Sequence, residues 1–129
     1  MSQFLLDTQI VLWMAHEPEK ISEKCYDVIL DKSNDLLLSY VSIWELSIKL
    51  SVNKLQLKLS LNDFISREIE KHNLILSPIS LLSIYHCQLL PLIHRDPFDR
   101  IIAAHSIVEK IPLISSDKIF DDYNIKRIW

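Results

Sequence analysis

At 129 residues, with 49% apolar and 24% charged side chains, the chain is long enough to bury a core of its own and has the make-up of an ordinary globular protein. It contains no glycine, which excludes Gly-rich phosphate loops and dinucleotide-binding turns and leaves turns and helix ends to Asn, Ser, Asp and Pro. The net charge of −3 weighs against a partner held by bulk electrostatics, such as nucleic acid, unless acids gather round a cation that changes the local sign.

Phe4-Leu5-Leu6 predicts a short buried strand, closed by Asp7-Thr8. A helix then starts near Ile10, with Asp7 or Thr8 as its cap. Pro18 is expected to open a second helix, whose apolar positions are Ile21, Cys25, Val28 and Ile29. Asn34-Asp35 marks a turn, and Leu36-Leu37-Leu38-Ser39 a second apolar strand. The helix expected over 42–52 is nearly encircled by apolar residues, which predicts that it is well buried. Glu45 lies between its apolar stripe of Val41, Ile48 and Val52 and a polar strip of Ser42 and Lys49.

Residues 53–59 alternate, with Leu55, Leu57 and Leu59 on one side, as a short extended arm would. The pattern over 60–72 predicts a helix with Leu61, Phe64, Ile65 and Ile69 inward and Arg67, Glu68, Glu70 and Lys71 elsewhere. Leu74-Ile75-Leu76 is a third strand, and a further helix over 80–90 ends at Pro91. In the segment HRDPFDRIIAAHSIVEKIPLISSD, Asp96 is a natural N-cap and Pro97 suits the first helical position. Phe98, Ile101, Ile102, His105 and Val108 follow at helical spacing. Leu113-Ile114 is a fourth strand, stopped by Ser115-Ser116-Asp117, and a small last strand is expected within 125–129.

Short apolar strands separated by helical stretches predict an α/β domain over 1–129, with a mainly parallel sheet of about five strands flanked by helices. Ligands of such open sheets bind beyond the C-terminal strand ends, where strand order reverses. Cys25 and Cys87 make neither a disulfide framework nor a zinc pattern. Nothing resembles a signal peptide, and no apolar run reaches the roughly 20 residues of a membrane span, so a cytoplasmic protein with no membrane partner is expected.

The carboxylates stand at the ends of buried elements. Asp7 follows the first strand, Glu45 lies on the helix leaving the second, Asp99 opens the helix before the fourth, and Asp117 follows that strand. Each also has a plainer reading as cap or turn residue. Strand order is not legible in the sequence, so their meeting at one sheet edge is an expectation. Gathered carboxylates repel unless a cation binds or a proton is taken up, and oxygen ligands suit Mg²⁺ or Mn²⁺.

These segments resemble the PIN domain, and within it most closely the small ribonuclease toxins of the VapC type from bacterial toxin–antitoxin pairs. FLLDTQIVLW is similar to the family's opening strand and first acid, SYVSIWELSIKLSVNKL to the segment carrying its glutamate, and HRDPFDRIIAAHSIVEKIPLISSDKIFDDYNIKRIW to its C-terminal block. The resemblance implies a parallel sheet with the acids at its C-terminal edge. It assigns Asp7, Glu45, Asp99 and Asp117 to a pocket that holds Mg²⁺ or Mn²⁺, with Asp96 as an additional acid and Thr8 and Ser116 orienting their neighbours. It departs at Gln9, where many relatives carry His, and in lacking glycine, notably before Ile111.

The function so implied is a metal-dependent endoribonuclease, the toxin of a toxin–antitoxin pair, with RNA as substrate, a small antitoxin as partner and a homodimer as the expected assembly. Arg95, Arg100, Lys49 and Lys118 stand next to pocket acids and are candidates for RNA phosphate contacts. His94 and His105 are read as structural, since a Mg²⁺ site prefers oxygen. Leu55, Leu57 and Leu59, or the helix after Ser42, are candidate docking surfaces for the antitoxin or a second copy. The alternatives are a PIN-like binding module without catalysis and another Mg²⁺-dependent phosphate-handling domain. A receiver domain would want an acid after the third strand, where Ser77-Pro78 stands, and a haloacid-dehalogenase phosphatase a second Asp where Gln9 stands.

Overall fold

The computed structural model describes residues 2–93 and 95–129, so Met1 and the reading of His94 as structural lie outside the described residues. Among them, five strands form one wholly parallel sheet: β1 (Gln3–Leu6), β2 (Asp35–Ser39), β3 (Ile75–Ser77), β4 (Leu113–Ile114) and β5 (Arg127–Ile128). Their order is β3-β2-β1-β4-β5. The chain steps outward from β1 through β2 to β3, then returns to the other side of β1 with β4. The carboxyl ends of β1 and β4 therefore flank the reversal, where an open parallel sheet leaves a crevice.

The strands are continuous apolar runs because both faces are covered. Leu6, Leu36, Leu38 and Ile114 point to one face, and Leu5, Leu37 and Leu113 to the other. The first face is covered by α1 (Thr8–His16), α2 (Glu23–Leu30) and α4 (Leu61–His72), through Ile10, Val11, Met14, Cys25, Ile29, Phe64 and Ile65. The second is covered by α6 (Pro97–Glu109) through Ile102, Ala103 and Ala104, with α5 (Leu81–Leu89) packed beside it. The helix α3 (Tyr40–Ser51) reaches both cores, with Leu46 in the first and Val41 in the second.

Four expectations change. Pro18 opens only a 3₁₀ turn, Pro18–Lys20; the helix proper waits for Ser22, whose hydroxyl accepts the Cys25 amide at 3.2 Å and makes the better N-cap. Residues 53–59 carry no strand; Leu55 and Leu57 pack against the first core, and only Leu59 faces outward. Helix α3 is not buried all round, because Tyr40 and Trp44 are exposed while Ser42, Glu45 and Leu46 face inward. Glu68, expected off the apolar face of α4, is fully buried. It falls three and four residues after Ile65 and Phe64, on the same inward stripe, and its neighbours are Arg67 at 3.4 Å and His72 at 3.7 Å.

Without glycine, three of the described residues take the left-handed backbone: Asn53, Asn73 and Lys110, at φ of 57°, 55° and 56°. Asn73 ends α4 and Lys110 ends α6, and the lysine is the costlier choice because, unlike asparagine, it has no short polar side chain to hydrogen-bond the local backbone and offset the Cβ crowding.

Candidate functional site

Asp7 continues the sheet for one residue past β1, its N–H bonded to Ile114 O at 3.0 Å. It occupies the N-cap position of α1, yet its carboxylate makes no capping bond. Instead Oδ2 accepts the Ser115 hydroxyl at 2.8 Å. The same Ser115 oxygen accepts the Asp117 amide at 3.1 Å, so one buried serine ties together the acids at the ends of β1 and β4. Asp117 in turn caps the 3₁₀ segment Lys118–Asp122, accepting the Ile119 amide at 3.1 Å. Burial pushes the Asp7 carboxyl up from its usual 3.8 to about 6; the charges of Glu45 and Asp117 add to the rise, and the Ser115 bond opposes it.

Glu45 sits in the second turn of α3 and is buried. Its Oε1 accepts the Thr8 hydroxyl at 2.8 Å, and its Oε2 pairs with Lys49 Nζ at 2.8 Å. Thr8 has one hydroxyl proton, and the carboxylate is the stronger acceptor; Ser42 Oγ, 2.9 Å from Thr8 Oγ1, then donates to it.

Asp96 is the N-cap of α6, accepting the Phe98 and Asp99 amides at 2.8 and 3.3 Å. With the cap made by Asp96, the Asp99 carboxylate faces the cleft. Burial first, then the charges of Asp7, Asp96, Glu45 and Asp117, raise its affinity for a proton from the usual 3.8 to about 8.

The cleft has a volume of about 360 Å³. All five sequence-predicted acids line it: Asp7, Glu45, Asp96, Asp99 and Asp117. So do Thr8, Lys49 and Ser116, with Gln9 and Trp13 completing the wall. A larger cleft, about 450 Å³ between the ends of α2 and α4, mixes Asp31 and Glu70 with Lys32 and Lys71 and gathers no single sign.

Two sequence expectations are displaced. Ser116 lines the cleft, but the hydroxyl that orients Asp7 is that of Ser115, which reading the doubled serine did not single out. Arg100 is turned away from the acids: its guanidinium donates to the carbonyls of Pro91, Cys87 and Leu90 at 2.9, 3.0 and 3.4 Å, closing the end of α5. Of the other cations, Lys49 reaches the cleft through Glu45, while Arg95 and Lys118 are exposed and do not line it. His105 is buried, its Nε2 3.1 Å from Ser77 Oγ, which agrees with a structural role. Among the described residues, no three His, Cys, Asp or Glu side chains are drawn into one ready ligating group.

Fold and cleft together define a doubly wound parallel α/β domain with acids gathered at the reversal of strand order. The sequence profile of the PIN domain matches residues 4–126, and the chain belongs to that family. The chain has no significant match among curated protein sequences. Its fold is similar to that of VapBC2 from Rickettsia felis bound to a promoter DNA fragment, with a TM-score of 0.73, 18% identity and coverage of 98% of this chain and 97% of that one. It is also similar to DNA-bound VapBC from Salmonella typhimurium, with a TM-score of 0.71, 16% identity and coverage of 99% and 98%. A third similar structure, VapBC-5 from Mycobacterium tuberculosis, of the VapBC family of toxin–antitoxin systems, has a TM-score of 0.62, 15% identity and coverage of 99% and 100%.

Proposed function

We propose that this protein is a divalent-cation-dependent endoribonuclease, the toxin of a toxin–antitoxin pair, with Asp7, Glu45, Asp99 and Asp117 as its catalytic and metal-holding residues. The observation that carries the reading is the convergence of these acids, from four distant parts of the chain, on one cleft at the strand reversal. The donor chemistry fits a hard cation: the acid set is all oxygen, and burial, with the like charges adding to it, raises the proton affinity of Asp7 and Asp99. Asp7, Asp99 and Asp117 would hold Mg²⁺ or Mn²⁺, with Glu45 released from Lys49 to join them and Asp96 beside them. The bound ion supplies charge neutralisation at a phosphodiester and acidifies water.

The protein's own parts are positional. Ser115 favours the ionised form of Asp7 by donating to its Oδ2, and Thr8 donates to Glu45. Lys49, once free of Glu45, offers an ammonium to an RNA phosphate, with Arg95 and Lys118 as cations further along the strand.

The reading includes a small antitoxin that covers the cleft, and a homodimer. Support for the homodimer comes from the outer side of α5, where Leu81, Leu82, Tyr85 and Leu89 are 65%, 67%, 61% and 73% exposed. That helix carries no Asp, Glu, Lys or Arg, so two copies can meet there without opposing charges. Among the described residues no helix is long and apolar enough to cross a membrane, and a cytoplasmic location is part of the same proposed reading.

The test is cleavage of labelled RNA by purified protein with Mn²⁺ or Mg²⁺, in chelator, and with Asp7→Asn and Asp99→Asn. Cleavage is expected only with metal and only in wild type; undiminished cleavage in chelator and in both folded variants overturns the reading.

A further inference from the structure

We propose that His16, Lys58 and Arg67 form a second, phosphate-binding site for the RNA, outside the acid cleft and at the other end of α1. The proposal rests on the nuclease reading above and adds where else the substrate is held.

The acid cleft has little of its own with which to hold a polyanion. Among the described residues its one lining cation is Lys49, and that ammonium is paired with Glu45. A chain with a net charge of −3 must take its Coulombic hold from a local patch of the other sign. A groove of about 370 Å³, between the end of α1, residues 56–59 and the first two turns of α4, has that sign. His16, Lys58 and Arg67 line it, and among the described residues no Asp or Glu does.

These groups are held in place. Phe64, 1% exposed, lies beneath them: the His16 imidazole stacks on its ring at 5.8 Å and 21°, and the Arg67 guanidinium lies 5.9 Å from the ring centre. Arg67 Nε is 3.4 Å from Oε2 of the buried Glu68, which does not line the groove. The two Nη groups of Arg67 have no partner among the described residues. Lys58 follows Leu57, which is packed against the first core. Glu17, beside His16, is taken up by Lys20. A guanidinium fixed along its Nε edge, an ammonium and an imidazole N–H are donors that suit the free oxygens of a phosphodiester.

Position ties the groove to the acids. Trp13 lines the acid cleft, and His16, one turn further along α1, lines the groove. Asp7 caps the start of α1 and His16 ends it, nine helical residues or about 13 Å away. That is roughly four nucleotides at the rise of a stacked strand. A second basic groove, that of Lys110 and Lys126, lies beside Ile111 and Pro112 at the amino end of β4, the sheet edge opposite to the acids, and does not continue the same path.

The experiment uses two oligoribonucleotides that share one cleavage site, with Mn²⁺. The short one ends about two nucleotides to each side of the cut, and the long one runs about eight, so that only the long one spans the distance to the groove. Wild type is expected to take the long strand with the lower KM. Lys58→Glu should raise KM for the long strand about tenfold and reduce the salt dependence of log KM by about one, with the short strand moved less than about twofold. Arg67→Lys, which keeps the charge beside Glu68 but loses the fork, should raise KM for the long strand about threefold. Equal KM for the two strands in wild type, or a Lys58→Glu effect that is absent or the same on both, overturns the proposal. If folded wild type cleaves no RNA, the nuclease reading falls on its own. Fluorescence anisotropy of the labelled long strand in chelator then decides the groove. Binding that Lys58→Glu abolishes supports it; no binding by wild type, or binding that Lys58→Glu leaves unaltered, overturns it.

Discussion

Ser115 donates its hydroxyl proton to Asp7 Oδ2 at 2.8 Å, across 108 positions of the chain. The bond supports the ionised form of Asp7 against the burial that opposes it. Ser115→Ala removes that support and leaves a buried carboxylate short of a donor. It should lower stability by about 1–2 kcal/mol. The acid limb of the pH–rate profile should move upward by roughly one unit. Ser116→Ala, which alters only the cleft wall, should do neither. Denaturant melts and pH–rate profiles of the two variants compare them directly.

Arg100 offers a second contrast. Its three carbonyl partners lie at the end of α5, so its work is structural. Arg100→Ala should cost about 1–3 kcal/mol, because its charge-assisted bonds to the carbonyls that close α5 are lost. Arg100→Lys should recover less than half, since one ammonium cannot span a fork of three acceptors. KM for RNA should not move in the lysine variant; a KM rise without a loss of stability would return Arg100 to the substrate.

The strands were legible because a parallel sheet covered on both faces writes uninterrupted apolar runs, and the acids Asp7 and Asp117 follow shortly after β1 and β4. Helix α6 was legible from Asp96 and Pro97 for the same kind of local reason. What stayed hidden depends on contacts far apart in sequence. Strand order decides whether Asp7 meets Asp117, and no local pattern encodes it; the family resemblance supplied it. Ser115 and Ser116 differ only in which of them the strand end turns inward. Arg100 sits beside Asp99 in sequence, yet its long side chain reaches back to α5. Glu68 reads as polar by type and is buried by register.

Lys110 carries the missing glycine's burden. Its φ of 56° at the end of α6 suits glycine, and any residue with a Cβ is strained there. Lys110→Gly should raise stability by about 0.5–1 kcal/mol, the relief of strain exceeding the extra freedom glycine gives the unfolded chain. Lys110→Ala should gain nothing. A pair of thermal melts separates backbone strain from loss of the lysine charge.

Asp99 sets the sign of the protein's response to pH and metal. A carboxyl that binds its proton more tightly in the folded than in the unfolded chain lowers stability throughout the window between the two values, because the unfolded state then binds fewer protons. That window runs from 3.8 to about 8 for Asp99, and from 3.8 to about 6 for Asp7. In chelator, wild type should therefore be more stable at pH 5 than at pH 8. The loss should be on the order of 1–2 kcal/mol, reduced from the full shift because the cleft is open to screening solvent. Asp99→Asn removes the larger share, so its stability should be nearly flat above pH 6. At pH 8 it should melt higher than wild type by roughly 3–8 °C. The opposing cost is the loss of a carboxylate at a helix start, about 0.3–1 kcal/mol. The cap itself is untouched, since it belongs to Asp96. Asp96→Ala should accordingly move the other way, losing about 0.5–2 kcal/mol, while Asp96→Asn keeps most of the cap. Millimolar Mn²⁺ should stabilise wild type by mass action and the Asp99→Asn variant less. Melts across pH 5–8, in chelator and with metal, measure all of this. An Asp99→Asn protein that melts below wild type at pH 8 in chelator, with an equal metal response, would show that Asp99 neither repels its neighbours nor helps to hold a cation.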